Sequence, residues 1–298
     1  MNSKNIAKSL SAKLTDWCKH IEDEAVVKAI KKDAIITGGA IVNLLQGETP
    51  NDYDVYFKTL ETCKAVADYY AAKWNAAHDE GRKKVYVKIE NERVMMTIGE
   101  GRGQGTTIED GESGIDDNSE PYTTENEDNP TEQNPEIEKP KYRPRYFSTN
   151  ALSLSDKIQI VVRFWGTVDK IHENYDFEHC KCSYDWHTNT VDLPRKALEC
   201  IINRELYYSG SKYPLCSIIR TRKFISRGWS INAGQYVKMA LQLNKLDLSD
   251  LNVFRDQLVG VDSAYFEAVI DYLRKKKEDD PNFVVDDGYL FEVINRIF

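Results

Sequence analysis

Two aspartates one residue apart, Asp52 and Asp54, sit in the run Asp52-Tyr53-Asp54-Val55-Tyr56-Phe57, which reads as a strand. Residues i and i+2 of a strand point to one side, so both carboxylates leave the same edge. Acids this close repel unless cations neutralise them, and hard oxygen ligands suit Mg²⁺, with Mn²⁺ as a substitute. Two such ions, roughly 4 Å apart, activate an attacking hydroxyl and stabilise a leaving pyrophosphate. Fifteen residues upstream, Thr37-Gly38-Gly39-Ala40 closes a short apolar run, Ala34-Ile35-Ile36, that reads as a buried strand. Gly38 and Gly39 let backbone amides approach a phosphate, and a helix starting near Ala40 adds its positive end. Either element alone is common in polar turns; strand, glycine pair, helix and a second strand with paired acids together fit phosphoryl or nucleotidyl transfer.

Several elements must position this pair. Residues 5–31 have the apolar spacing of one helix, and 59–78 that of a long amphipathic helix. Residues 84–89 and 93–98 read as a hairpin around Glu90-Asn91-Glu92. Ile158–Phe164 is a strand candidate, 168–174 a short helix, Tyr175-Asp176-Phe177 a short strand, and 181–186 another. From Pro194 the pattern is helical, over 194–207, 214–228, 232–243, 248–258, 263–277 and 286–297. The predicted fold class is α+β: a mixed sheet with helices over 1–192, then a mostly helical domain over 193–298.

Charge is unevenly distributed. Glu100 to Glu138 holds thirteen acidic residues and one basic residue, a formal −12, so the remainder of the chain carries +4 against an overall −8. With so few large apolar residues, positions 99–142 read as a mobile acidic insert, either a solvated loop or an electrostatic cover over a basic face. Lys139 to Arg227 has sixteen Lys and Arg against nine Asp and Glu, which is compatible with a phosphate-rich ligand. No apolar run reaches membrane-spanning length and the N-terminal residues lack a secretory pattern, so no membrane partner and a cytoplasmic location are expected. Cys180 and Cys182, near His179 and His187, supply zinc ligand types without the usual spacing; reduced thiols are the plainer reading.

The run from Thr37 to Gly47, through Asn43 and Leu44-Leu45-Gln46, continuing to Asn51-Asp52-Tyr53-Asp54-Val55, resembles the first motif of the DNA polymerase beta-like nucleotidyltransferases. Within them it is most similar to the poly(A) polymerase and tRNA CCA-adding branch, in the manner of divergent phage or viral members. Pro214 to Phe224, continued by Gly228-Trp229-Ser230-Ile231, resembles the helix after the catalytic domain, and Phe147-Ser148-Thr149-Asn150-Ala151-Leu152 a Thr-Ile-Asn-Ala-Leu element. The chain departs from the pattern at Asn43, where the family has Arg-Asp, and at Arg145-Tyr146 ahead of Phe147.

The resemblance implies transfer of a nucleoside monophosphate from an NTP to a hydroxyl, with an RNA 3′ end as the expected acceptor. Asp52 and Asp54 would bind two Mg²⁺ ions. A third carboxylate is expected on a neighbouring strand; Asp176 is the first candidate, Asp192 and Asp156 the next. Thr37, Gly38, Gly39 and Asn43 are the expected nucleotide contacts from the first motif, with Asn150 at a ribose or base edge. Arg220, Lys223 and Arg227 share a helix face and could hold a triphosphate or an acceptor backbone. The same site could instead modify a protein or a second nucleotide, or the fold could be a non-catalytic binding module.

Overall fold

The computed structural model describes residues 2–77, 84–98, 108–109, 140–258 and positions 273, 275, 276, 278, 279, 288 and 295. Apart from those isolated positions, the helices expected over 263–277 and 286–297 lie outside these residues, as does almost all of the acidic stretch.

Helix α1 (Ser3–Cys18) starts where the Asn2 side chain accepts from the Asn5 amide, and it buries Ile6, Leu10, Leu14 and Trp17 along one stripe. The single helix expected over 5–31 is two. The Asp23 side chain accepts from the amides of Ala25 and Val26 and so opens α2 (Glu24–Asp33). A capping aspartate competes with helix continuation because its short side chain satisfies amides that the preceding turn would otherwise serve. Strand β1 (Ala34–Thr37) is buried at every position, α3 (Gly39–Gln46) follows, and Gly47 ends it in the left-handed conformation at φ 82°. Next come β2 (Tyr53–Phe57), α4 (Leu60–Ala77) and the hairpin β3 (Val85–Glu90) and β4 (Arg93–Ile98).

Strands β5 (Ile108–Glu109), β6 (Pro144–Phe147), β7 (Ala151–Leu154) and β8 (Ile158–Trp165) lead to helix α5 (Val168–His172) and to β9 (Ser183–Asp185) and β10 (Thr190–Asp192). Then follow α6 (Arg195–Asn203), β11 (Glu205–Leu206), α7 (Pro214–Ser226), β12 (Ser230–Ile231), α8 (Ala233–Leu243) and α9 (Leu251–Gln257). Helix α6 stops four residues before the expected 207. Arg204 turns left-handed at φ 49°, and β11 pairs with β12 in parallel. The strand expected at Tyr175-Asp176-Phe177 is absent: Asp176 lies in a bend, and Phe177 makes an isolated bridge to Tyr208.

The main sheet runs β10-β9-β1-β2-β8-β7-β6-β5, with β2 and β8 parallel and the other pairs antiparallel. This is the mixed α+β architecture expected. Its alternation sorts side chains onto two faces. Ile36, Val55, Phe57, Ile160 and Val162 join the residues of α1, α2 and α4 in one large core, which also takes in Ala197, Tyr208, Trp229 and Met239. Ile35 and Tyr56, which pair across β1 and β2, lie on the opposite face with Ile171, Val161 and Tyr175. Asp54, two residues from Tyr56, belongs to this second face.

In the large core the indole nitrogen of Trp17 donates to the Tyr70 hydroxyl at 2.6 Å, and both residues are almost wholly buried. Tyr70→Phe strands that donor without a partner. The variant should unfold about 1–3 kcal/mol more readily in a urea titration, at unchanged slope.

Candidate functional site

The β1–β2 register brings the glycine corner to the paired acids. Ile36 pairs with Val55 and Ile35 with Tyr56, so the chain leaving β1 passes the start of β2. Gly38 makes that passage at φ 89° and ψ −144°, a conformation close to glycine-only. A Cβ built there would sit 3.3 Å from Asp54 Oδ2 and 3.6 Å from the Tyr175 hydroxyl. Asp54 in β2 and Asp52 just before it are both half-buried, and Asp54 Oδ2 is the carboxylate oxygen that borders this corner. Two oxygen-donor side chains beside a cradle that admits no side chain fit a hard divalent cation carrying a phosphate.

The two glycines differ in role. The Gly38 amide donates to Cys180 O at 3.2 Å and is already used. Gly39 is the first residue of α3, and no side chain caps that terminus, so the first-turn amides of α3 are the anion donors of the corner. Thr37 is fully buried. Its hydroxyl donates to Cys182 O at 2.8 Å and pairs with His172 Nε2 at 2.8 Å, which ties the strand end to the 180–182 segment. Burial, with Lys181 nearby, holds His172 below the ordinary histidine range.

Behind Asp54 lies a wall that the sequence reading did not identify. The Tyr175 hydroxyl donates to the Tyr56 hydroxyl at 3.1 Å, and burial, reinforced by the Asp54 carboxylate, pushes the pKa of Tyr56 up. Tyr175 is raised further, by burial first and then by Tyr56 and Asp54. Burial and the nearby Asp176 likewise keep the Cys180 thiol protonated. The period-two alternation of β2 was the available signal for Tyr56; nothing local marked Tyr175 or Cys180.

Asp176 is not assembled with the pair as a third ligand. Among the described residues no three His, Cys, Asp or Glu side chains converge where they could hold a metal. Asp176 accepts instead from Arg220 Nη1 at 2.9 Å, with its own side chain 9% exposed and that of Arg220 40% exposed. Burial alone would lower the Arg220 pKa, but the Asp176 carboxylate outweighs it and drives the value up. Asp192 is exposed at the end of β10, and Asp156 accepts from the Tyr142 amide at 3.1 Å in the β7–β8 turn. The zinc ligand types also stay apart: Cys180 Sγ lies 3.2 Å from His179 Nε2, Cys182 is buried, and His187 is exposed.

The remaining expected nucleotide contacts are dispersed. Asn43 donates to Glu48 Oε2 at 2.9 Å near the end of α3 rather than its start. Asn150 accepts from Arg163 Nη1 at 3.0 Å, and Arg163 also donates to the Tyr213 hydroxyl. Arg163 lies four residues along β8 from Gln159, the in-register neighbour of Asp54. Of the three cations expected to share a face, Arg220 reaches the site wall, Lys223 is half-buried, and Arg227, which caps α7, is exposed.

The segment carrying Asp176 is clamped onto α7 through His179, which is 1% exposed and ringed by Phe177, Phe224 and Trp229 at centroid distances of 6.0, 4.7 and 4.3 Å. Its Nδ1 has no hydrogen-bond partner, and burial lowers its pKa to about 4.

Two expectations follow from this geometry. Gly38→Ala forces an L-residue into a strained backbone against Asp54 and should cost about 1–3 kcal/mol by chemical denaturation. Gly39→Ala, with nothing within 4 Å of its added Cβ, should be neutral or stabilise by up to ~1 kcal/mol. For His179, the folded value lies below the unfolded one, so the neutral form is the native one. Its contribution is complete above about pH 6.5 and is lost as pH falls toward about 4, on the order of 3 kcal/mol in all. Denaturation midpoints measured through that window should fall more steeply for the wild type than for His179→Leu.

Residues 8–204 match the model of the Gabija anti-defense 2 family protein. A curated relative, Gabija anti-defense 2 of Bacillus phage SPbetaL7, is 20% identical over 285 residues, covering 92% of this chain and 55% of that protein. The chain thus spans about half the length of that relative. Among solved structures, the Thermotoga maritima CCA-adding enzyme complexed with tRNA is 12% identical, covering 82% of this chain and 49% of that one, at a TM-score of 0.38. The Bacillus stearothermophilus CCA-adding enzyme in complex with CTP gives 12% identity, 80% and 48% coverage, and a TM-score of 0.39. With the family model matching about two thirds of its length, from α1 to the end of α6, this chain belongs to the Gabija anti-defense 2 family.

Proposed function

We propose that the corner formed by Gly38, Gly39, Asp52 and Asp54 binds a magnesium–nucleoside triphosphate and transfers its nucleoside monophosphate to a hydroxyl acceptor. An RNA 3′ end is the acceptor class favoured by the motif resemblance. The observation that carries this reading is the contact between Gly38 and Asp54. The positive φ and the tight space beside that carboxylate oxygen favour an unsubstituted backbone, at the uncapped start of a helix. Magnesium bound to Asp52 and Asp54 would supply charge neutralisation and a lowered hydroxyl pKa. The chain's own groups do the rest. The first-turn amides of α3 orient the phosphates, and Tyr56 and Tyr175 close the wall behind Asp54 against water. Arg220, held by Asp176, faces the same corner. The acceptor oxygen forms a bond to the α-phosphorus, the bond from that phosphorus to the bridging oxygen breaks, and pyrophosphate leaves with the electron pair. In this reading Asp176 positions Arg220 rather than binding an ion. The anti-defense role in the family's description would be exercised through this site.

A second reading is favoured by the absence of a three-carboxylate cluster among the described residues: a site that holds metal–nucleotide without turnover. The two separate in one experiment. The protein is incubated with α-labelled NTPs, Mg²⁺ and separate pools of RNA and protein, and pyrophosphate is measured alongside. Transfer predicts label on RNA and stoichiometric pyrophosphate. Asp54→Asn should lower it by a factor on the order of a thousand at an unchanged melting temperature. Calorimetric binding of Mg²⁺–NTP without pyrophosphate selects the second reading, and label on protein alone rejects the RNA acceptor.

A further inference from the structure

A cleft lies away from the paired acids, along the outer side of α1 where it meets the β9–β10 turn. It measures about 680 Å³, and the side chains lining it include Lys4, Lys8, Lys19, Ser11, Thr15 and Asn189, with no Asp or Glu among its lining residues. The three lysines are exposed, and none forms an ion pair among the described residues. Their placement is costly for the helix. Lys4 and Lys8 stand one turn apart with like charge, where an acid at that spacing would be stabilising. Lys4 lies in the first turn, where the helix macrodipole disfavours a cation and where α1 has no acidic residue. The one acid of α1, Asp16, accepts from the Tyr142 hydroxyl at 2.9 Å. Lys13 is turned the other way, over the rings of Tyr53 and Tyr142. Lys4 and Lys8 therefore face the cleft with no acid among its lining residues, and Lys19 stands one turn beyond Asp16, close enough to interact with it.

The geometry points to a binding track for the phosphodiester backbone of nucleic acid. Lys4 and Lys8, on adjacent turns, stand about 6 Å apart along the axis, on the scale of successive phosphates, and Lys19 lies about 16 Å further along. Ser11, Thr15 and Asn189 add hydroxyl and amide donors for phosphate oxygens. No aromatic side chain lines the cleft. A protein partner would lack a ring anchor there, and bases would lack a stacking platform. The track accordingly reads charge and not sequence. It does not depend on any transfer at Asp52 and Asp54.

Fluorescence anisotropy of labelled mixed-sequence RNA, single-stranded and duplex, tests this on the full chain across a salt series. The wild type should bind with a steep dependence on salt and little preference for sequence. Lys4→Glu, Lys8→Glu and Lys19→Glu together should weaken binding about tenfold or more at low salt. They should also flatten the log–log salt slope by about two, the effect of removing three phosphate contacts. The neutral set Lys4→Gln, Lys8→Gln and Lys19→Gln should fall between, at a wild-type melting temperature, which guards against a misfolded reversal variant. Wild-type affinity and slope in the lysine variants would overturn the proposal, as would a wild-type chain that binds polyglutamate but not RNA.

Discussion

Everything at the acidic corner depends on one close approach, the Gly38 backbone against the Asp54 carboxylate. The antiparallel register of β1 and β2 sets it: once Ile35 faces Tyr56, the residue after Thr37 must pass beside Asp54. The space left there is 3.3 Å from a would-be Cβ to Oδ2, tighter than nearly all real contacts of that kind. Glycine is therefore required twice over, by φ and by space. The same turn starts α3 with its amides uncapped. Strand pairing, backbone conformation and anion-binding capacity are thus one constraint, and a change at any of them disturbs the others.

The corner was legible in the sequence because its parts are contiguous and periodic. A buried run, a glycine pair, a helix stopped by Gly47 and an i, i+2 acid pair all lie within about twenty residues, where strand and helix periods dictate direction. The role of Asp176 was not legible. Its flanks, Tyr175 and Phe177, look like strand residues, but their burial comes from Tyr56 in β2, from Tyr208 after β11 and from Phe224 in α7, all distant in sequence. Asn43 and Asn150 show the limit differently. Each carries a side chain able to meet a nucleotide, yet Glu48 and Arg163 satisfy them locally. Pattern reveals which groups are available, whereas partner choice is a tertiary property. The split of the first helix is the opposite case, since Asp23 is a capping residue in plain view and the apolar spacing across it concealed the break.

The electrostatic plan separates two ligand surfaces. The paired acids, the tyrosine hydroxyls and the Asp176–Arg220 pair occupy the sheet face carrying Ile35 and Tyr56. Helix α1 packs into the core on the other face and presents its lysines outward. A polyanion drawn to α1 is therefore not drawn over Asp52 and Asp54, whose charge would repel it without bound cations.

That separation bears on how the corner attracts a triphosphate. Arg220 is the nearest cation to the site wall, but it does not act as a free charge. Pulling it from Asp176 would leave a carboxylate only 9% exposed without its partner, a cost that the 40% exposure of Arg220 lessens but does not remove. A phosphate that gained a contact with Arg220 at that expense would gain little. Arg220 is better suited to offer its remaining N–H donors while staying bound to Asp176, as a neutral and fixed pair. The positive field at the corner then has to come from the uncapped amides of α3 and from cations arriving with the nucleotide. In the proposed reading, the two aspartates would be what makes those cations stay.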